Sequence, residues 1–83
     1  MENVEPDSLS PLAQSVKPGI YKHFKGNLYE VLGVARNSEN SADEMVVYKA
    51  TKTGYLWIRP LAMFVENVER DGYNGPRFTY IGD

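Results

Sequence analysis

The residue pair best suited to acid–base chemistry is His23 and Glu30, one on each side of a predicted hairpin turn. A carboxylate beside an imidazole orients the ring and raises its pKa, as general-base catalysis requires. A pocket that brought Arg59 to the same pair would form the centre of a small hydrolase or transferase. Because the sequence positions no serine, cysteine or metal ligand beside them, we expect no catalytic residue and no enzyme.

An alternating stripe of two aromatic residues and a cation, Tyr55, Trp57 and Arg59, is the best candidate for binding. Side chains two residues apart leave the same face of a strand. Such a stripe can stack bases or grip a peptide, with Arg59 supplying a charge or a cation–π contact. The alternative is that these aromatics form the core and rim of the domain. The full predicted binding set is His23, Tyr29, Glu30, Tyr48, Tyr55, Trp57 and Arg59.

Four lysines on the predicted first and third strands or their turns form a second candidate surface: Lys22, Lys25, Lys49 and Lys52. Clustered on one side, they would make a weak basic patch. Strand lysines also protect sheet edges against aggregation, and we favour that interpretation. Gly26 and Gly33 do not form a phosphate loop, because no helix start follows them.

Composition limits the sites that the chain can build. Its 83 residues include no cysteine and one histidine, so we expect no disulfide, no all-protein metal site and no cofactor. The sequence begins without a basic segment followed by an apolar run, and we expect a cytoplasmic protein without membrane contact. The net charge of −2 resides in residues 1–18, and the neutral remainder lacks the basic footprint typical of nucleic-acid binding.

A hairpin over residues 19–36 is the element that must position most of these side chains. Gly26-Asn27 tolerates the positive φ of a two-residue turn. That turn predicts the cross-strand pairs Phe24–Tyr29, His23–Glu30 and Tyr21–Leu32, and one mostly apolar face of Ile20, Phe24, Tyr29, Val31 and Ala35. A three-residue loop over residues 25–27 would pair Lys22 with Glu30 instead. Gly33 predicts a bend or bulge in the second strand.

The remaining sequence predicts more short strands, over residues 45–50 and 55–59, a fifth that begins with Val65 and Val68, and a last one over residues 78–81. A polar loop is expected at 37–43, with turns at 52–54 and 71–75. A helical turn after Pro60 would insert Leu61 and Phe64 into the core. Five or six such strands leave few exposed edges as an SH3-like barrel, with an OB-fold as the competing all-β interpretation.

The first 18 residues are predicted to be a flexible arm preceding a barrel domain at residues 19–83. Ser10-Pro11 signals a short helix, since a capping hydroxyl precedes a proline at the first helical position. Its apolar face would comprise Leu9, Leu12 and Val16. The arm would be ordered only when docked, or would bind a partner as a helix.

The segments GIYKHFKGNLYEVLGVA, VVYKA, LWIRP and MF occur in this order. The chain thereby resembles a bacterial family, domain of unknown function 1653, over about residues 18–81. The resemblance implies a small β-barrel-like domain, found alone or attached to others, and implies no catalytic residue. After the second strand the family tends to read His-Ser-Glu-Thr, whereas here residues 37–40 are Asn-Ser-Glu-Asn. A role for that imidazole is therefore absent or replaced.

Three functions remain open at this point. The first, which we favour, is a non-catalytic module that binds a peptide, a single-stranded nucleic acid or a nucleotide-like molecule. The second is the hydrolase or transferase described above. The third is an assembly domain that forms a weak homo-oligomer through its N-terminal arm or an edge strand. If Arg59 is instead a structural anchor, Glu30 and Glu39 are its predicted partners.

Overall fold

Strands dominate the computed structural model, which describes residues 9–83. In these residues the elements are α1 (Pro11–Gln14), β1 (Gly19–His23), β2 (Leu28–Asn37), β3 (Asn40–Ala50), β4 (Leu56–Pro60), α2 (Leu61–Phe64), β5 (Asn67–Arg70), β6 (Tyr73–Pro76) and β7 (Phe78–Gly82). The predicted all-β class is confirmed.

Five strands form one antiparallel sheet in the order β4-β3-β2-β1-β7, and β5 pairs with β6 as a separate hairpin. Within residues 9–83, β4 and β7 each pair with one strand, so backbone hydrogen bonds do not close the sheet into a barrel. Both helices contribute buried residues to the core on one face, which we call the inner face. That core comprises Ala13, Tyr21, Val31, Val46, Tyr48, Leu61, Phe64 and Phe78.

The β1–β2 hairpin turns earlier than the sequence predicts. The His23 N–H donates to the Asn27 carbonyl (2.8 Å) and the Gly26 N–H to the His23 carbonyl (2.7 Å), which leaves Phe24–Gly26 as a three-residue loop. Gly26 has a φ of 107°, a value that a residue without Cβ adopts at low cost. Phe24 stays in the loop because its ring stacks on Tyr73 of β6, with centroids 5.4 Å apart.

Both predicted hairpin registers are therefore wrong. Tyr21 pairs with Tyr29, and Ile20 pairs with Glu30. Tyr21 is buried on the inner face, so its strand neighbour Ile20 points to the opposite, outer face. Of the predicted apolar face, Tyr29 and Val31 lie on the inner side.

A bulge in β2 confirms the prediction made from Gly33. Val31 pairs with Tyr48 but Gly33 pairs with Val47, so Leu32 is an extra residue in β2. After the bulge Val34 pairs with the fully buried Val46. The bulge thus brings Val31 and Val34, three residues apart, to the same inner face.

Two regions predicted to be irregular are strands. Of residues 37–43, only Ser38 and Glu39 lie between β2 and β3. Asn37 explains this early turn, because its Oδ1 accepts the Glu39 N–H (2.8 Å) and its Nδ2 donates to Asp43 (3.2 Å). In the second region, Asp71-Gly72 forms a two-residue turn, and residues 73–76 form β6.

The short helix near the N-terminus begins as predicted, with Ser10 as its cap and Pro11 as its first residue. The Ser10 Oγ accepts the Ala13 N–H (3.1 Å), and Glu44 of β3 accepts both the Ser10 N–H (2.8 Å) and hydroxyl (2.6 Å). Ala13 is buried, whereas Leu12 is 47% exposed and does not belong to the apolar face. The predicted arm's first eight residues lie outside the described part of the chain.

Candidate functional site

The β3–β4 pairing places the predicted aromatic and arginine stripe on the inner face. Tyr48 pairs with Trp57, and Val46 pairs with Arg59. Paired residues of antiparallel strands share a face, so Trp57 and Arg59 lie on the same side as the buried Val46 and Tyr48. Trp57 remains 51% exposed and Tyr55, just before β4, 67% exposed. Trp57 and Arg59 thus lie on the same face of β4, as strand alternation predicts.

Phe78 of β7 lies at the centre of the ring contacts beneath this stripe. It stacks on Phe64, with centroids 4.2 Å apart, and meets Tyr48 edge-on at 5.5 Å. The same ring contacts His23 at 5.0 Å and Tyr29 at 5.7 Å. Sequence reasoning missed this residue, because only the β1–β7 pairing, between distant parts of the chain, brings it here.

Two adjacent cavities follow the stripe, and together we call them the aromatic groove. The smaller, of about 190 Å³, is lined by Tyr29, Tyr48, Trp57 and Arg59. The larger, of about 470 Å³, shares Tyr29 and Trp57 with it and extends between two turns. Its remaining lining residues are Gly26, Asn27, Leu28, Ala50, Thr51, Lys52, Thr53 and Tyr55.

Arg59 lines the smaller cavity of the groove and is absent from the lining of the larger one. Its Nε donates to the Tyr48 hydroxyl (3.2 Å), and its Cζ lies 5.9 Å from the centroid of the Phe78 ring. Among residues 9–83, no carboxylate lies within ion-pair distance of it. The predicted anchoring of Arg59 by Glu30 or Glu39 is therefore wrong. The groove lining carries two cations, Lys52 and Arg59, and no carboxylate.

His23 supports the groove without lining it. Its ring lies against Phe78 and Tyr29, and its Nδ1 accepts the Lys25 N–H (3.1 Å). Burial lowers the pKa of His23, and the positive charges of Arg77, Arg59 and Lys25 lower it further. A neutral imidazole that accepts at Nδ1 carries its proton on Nε2. The local field around this ring is thus positive and suited to an anion.

Comparison with known proteins supplies the family. A family model described as a protein of unknown function, DUF1653, matches residues 19–80. The chain belongs to the DUF1653 family. It is 36% identical to a DUF1653 protein from Bordetella bronchiseptica, whose crystal structure matches with a TM-score of 0.74 over 84% of this chain and 92% of that one. A search of curated proteins finds no match.

The DUF1653 domain does not form the predicted catalytic arrangement. Glu30 pairs with Ile20 and Lys49, and its carboxylate lies 3.6 Å from the Lys49 ammonium. Because Tyr29 faces the groove, its neighbour Glu30 points to the outer face. His23, Glu30 and Arg59 therefore do not converge, and Glu30 lies on the face opposite the groove.

The four lysines of this DUF1653 domain do not form one patch. Lys22 and Lys49 lie next to the inward-facing Tyr21 and Tyr48, so they point outward from β1 and β3. Lys25 and Lys52 lie in turns, and Lys52 lines the groove. Since β1 and β3 are internal strands of the sheet, the lysines also do not protect its edges.

The part of the DUF1653 domain that the structure describes lacks two further features, a metal-binding cluster and a membrane-spanning helix. Residues 9–83 contain no group of three or more His, Cys, Asp or Glu side chains arranged to hold a metal ion. None of the helices in this range has the length and apolar character needed to cross a bilayer.

Proposed function

We propose that this domain is a non-catalytic binding module whose aromatic groove takes a ligand with a planar ring and a negative charge. The chemistry corresponds to a nucleotide-like molecule or to the bases and phosphates of a short single strand. One observation carries the proposal: the exposed ring of Trp57 shares a cavity with Arg59, whose guanidinium has no carboxylate partner within residues 9–83.

The aromatic side chains would supply the ring-binding part of the site. Trp57 and Tyr55 expose much of their rings at the groove, while Tyr29 and Tyr48 are held by edge-on contact at 5.4 Å. Stacking on an exposed aromatic contributes about 1–3 kcal/mol per base and tolerates any base. The larger cavity of the groove, about 470 Å³, is within the usual range of volumes for small-molecule pockets.

The charges favour an anion. Arg59 and Lys52 line the groove without a carboxylate, although the chain as a whole has a net charge of −2. The Nε–H of Arg59 already donates to the Tyr48 hydroxyl. The two terminal NH₂ groups of the guanidinium are left to bind two anionic oxygens. A phosphate or carboxylate would satisfy this geometry, and the stacking rings favour the phosphate of a nucleotide. The proposal includes a cytoplasmic location, which suits a chain without cysteine.

Tryptophan fluorescence tests the proposal directly, because Trp57 is the only tryptophan of the chain. We would titrate the protein with nucleoside mono- and triphosphates, a short oligothymidine, a free nucleoside, inorganic phosphate and an acidic peptide. Binding of the nucleotides or the oligonucleotide, weakened by added salt, is the expected result. Response to the peptide alone would replace the nucleotide with a peptide ligand, and no response to any probe would contradict the proposal.

A matched pair of variants locates the site. Arg59→Gln should weaken nucleotide binding by about tenfold or more, the effect of losing a charge-assisted pair. Arg70→Gln removes the same charge from an exposed position on β5 and should leave affinity unchanged. Equal losses in both variants would indicate a non-specific charge effect and would contradict the groove as the site.

A further inference from the structure

The free edge of β4 exposes an unusual combination of side chains. The outward-facing Leu56 and Ile58 are each 63% exposed. The strand pairs with β3 without a bulge, and its only charged side chain, Arg59, lies on the inner face. Natural edge strands usually carry bulges or outward charges that prevent pairing with another chain. Within residues 9–83, nothing pairs with this edge.

The ladder between β3 and β4 determines which backbone groups the edge presents. The Ala50 N–H donates to the Tyr55 carbonyl (3.0 Å), so the two residues occupy a hydrogen-bonded position of the ladder. Hydrogen-bonded pairs alternate along an antiparallel ladder. Trp57 and Arg59 therefore direct their backbone groups toward β3, whereas Leu56 and Ile58 direct theirs toward the free edge.

We propose that β4 pairs with β4 of a second copy of this chain, antiparallel and centred on Trp57. In this register the free N–H and C=O groups of Leu56 face those of the second copy's Ile58, and the twofold axis repeats the pair. The backbone groups of Leu56 and Ile58, which point to the free edge, would thus hydrogen-bond to those of the second copy, and none of them would be left unpaired. Pairing centred on Ile58 would instead oppose Leu56 to Pro60, which has no N–H.

The side chains are also self-complementary in the proposed register. On the outer face, Leu56 lies against the second copy's Ile58, so two exposed aliphatic side chains cover each other at both ends of the pair. On the inner face, Trp57 meets its own copy, and Arg59 lies opposite the second copy's Tyr55. An arginine beside a tyrosine ring makes a cation–π contact. The second copy thereby contributes a ring to the Arg59 end of the aromatic groove.

The test is the molecular mass of the full chain by sedimentation equilibrium over a concentration series, with amide exchange measured by NMR. We expect a monomer–dimer equilibrium in which the Leu56 and Ile58 amides become protected as the concentration rises. A monomer at every concentration, with both amides unprotected, would overturn the proposal and leave the edge free for a strand of another protein. A dimer in which these amides stay unprotected would also overturn it.

Variants separate edge pairing from other modes of association. Ile58→Pro removes an edge N–H without removing one from the β3 ladder, and should raise the dimer dissociation constant by about tenfold or more. Ile58→Lys should act in the same direction if the proline disturbs the strand. Leu32→Lys and Ile81→Lys place the same charge on exposed outer-face positions away from β4 and should leave the dimer intact. Dissociation by Leu32→Lys but not by Ile58→Pro would indicate face-to-face stacking and would overturn the proposal.

Dimerisation and ligand binding can fail independently. The proposed pairing requires no ligand, so the mass of the unliganded chain tests it alone. Nucleotide titration of the Ile58→Pro variant in turn tests the groove in a monomer. A monomeric wild-type chain that binds nucleotide would overturn the dimer and retain the proposed function.

Discussion

The Nε of Arg59 donates to the hydroxyl of Tyr48 across two neighbouring strands, at 3.2 Å. The bond holds the guanidinium near the ring of Phe78 and at the end of the aromatic groove. It is a single bond to a neutral acceptor, not a buried ion pair. We therefore expect Arg59 to contribute modestly to the fold, which leaves its guanidinium available for the proposed ligand.

Arg59→Lys should separate these two contributions. Lysine keeps the charge but loses the Tyr48 bond and the planar fork. We expect a fall in the free energy of unfolding of about 0.5–1.5 kcal/mol, the usual value of one hydrogen bond. Urea denaturation measures this change, with Arg70→Lys as the exposed control. A loss well above 3 kcal/mol would show that Arg59 is mainly a structural anchor.

The pH titration of His23 should report both the burial of its ring and the positive charges around it. Burial and the nearby Arg77, Arg59 and Lys25 lower its pKa, so the midpoint should lie below the ordinary value near 6.5. It is the only histidine, and the Cε1 proton gives one resolved NMR titration. A bound phosphate at Arg59 should raise the midpoint. A midpoint at or above the ordinary value would contradict the arrangement described.

The lowered pKa of His23 also makes the stability of the fold depend on pH. Because the unfolded chain binds this proton at a higher pH than the folded chain, protonation favours unfolding. The contribution of His23 should therefore be fully present above the unfolded pKa and decline as the pH falls from there through the lower folded pKa. Comparing wild type with His23→Gln in urea melts from pH 8 to pH 5 isolates it, since the variant lacks this slope.

Ser10→Ala should detach α1 from the sheet. The change removes the helix cap and the hydroxyl bond to Glu44, and loss of a cap costs about 0.5–2 kcal/mol. Faster hydrogen exchange of the Ala13 and Gln14 amides would show the detachment. Ser38→Ala, in the exposed β2–β3 turn, is the control. Unchanged exchange in Ser10→Ala would mean that the packing of Ala13 and the remaining backbone hydrogen bond from residue 10 to Glu44 hold the helix.

Lowering the pH should weaken the hydrogen bonds between Ser10 and Glu44. Hydrogen bonds from Ser10 lower the pKa of the Glu44 carboxyl below its ordinary value. Stability from this pair is therefore present above the unfolded pKa of Glu44 and lost as the pH falls through the lower folded value. The protection factor of the Ala13 amide, which corrects for the intrinsic pH dependence of exchange, should fall in that acidic range in wild type. In Glu44→Gln this dependence should be absent.

Gly19→Ala should be more destabilising than Gly26→Ala, although both residues have positive φ. An added Cβ at Gly19 would lie 2.8 Å from the carbonyl oxygen of Gly82 and 3.0 Å from the Tyr80 ring. At Gly26 it would meet nothing within 4 Å. Backbone strain costs about 1–3 kcal/mol at either site, and only Gly19 adds a clash with β7. Thermal melts would compare the two, and equal losses would contradict the close β1–β7 approach.

Features determined by residues a few positions apart were predictable from the sequence. The turns at Gly54 and Gly72, the burial of Leu61 and Phe64 after Pro60, and the shared face of Trp57 and Arg59 all depend on local chemistry. The β1–β2 register was not predictable, because the ring of Phe24 is held in the loop by Tyr73 from a distant strand. That register error placed Glu30 beside His23.

The candidate site was predictable in part for the same reason. Alternation within one strand identified Trp57 and Arg59, and the tyrosines of adjacent strands were expected near them. Phe78 gave no signal, since an aromatic residue in a last strand is common in any β domain. Its contacts with His23, Tyr29 and Tyr48 exist because β7 pairs with β1, a long-range pairing that no local pattern indicates.

The extra residue in β2 makes chain length between Val31 and Val34 as important as residue type. Leu32 points away from the core, and its side chain could be shortened at little cost to packing. Deleting the whole residue would be different, because it would remove the bulge: Val31 and Val34 would then be two residues apart, and ordinary alternation would keep both on the inner face, opposite Tyr48 and Val46. A homologue that lost this residue would keep its register with β3 but would lose the bend and added twist that a bulge gives the strand. Loss of the single residue, with β3 unchanged in length, is therefore the evolutionary variation to seek at this position.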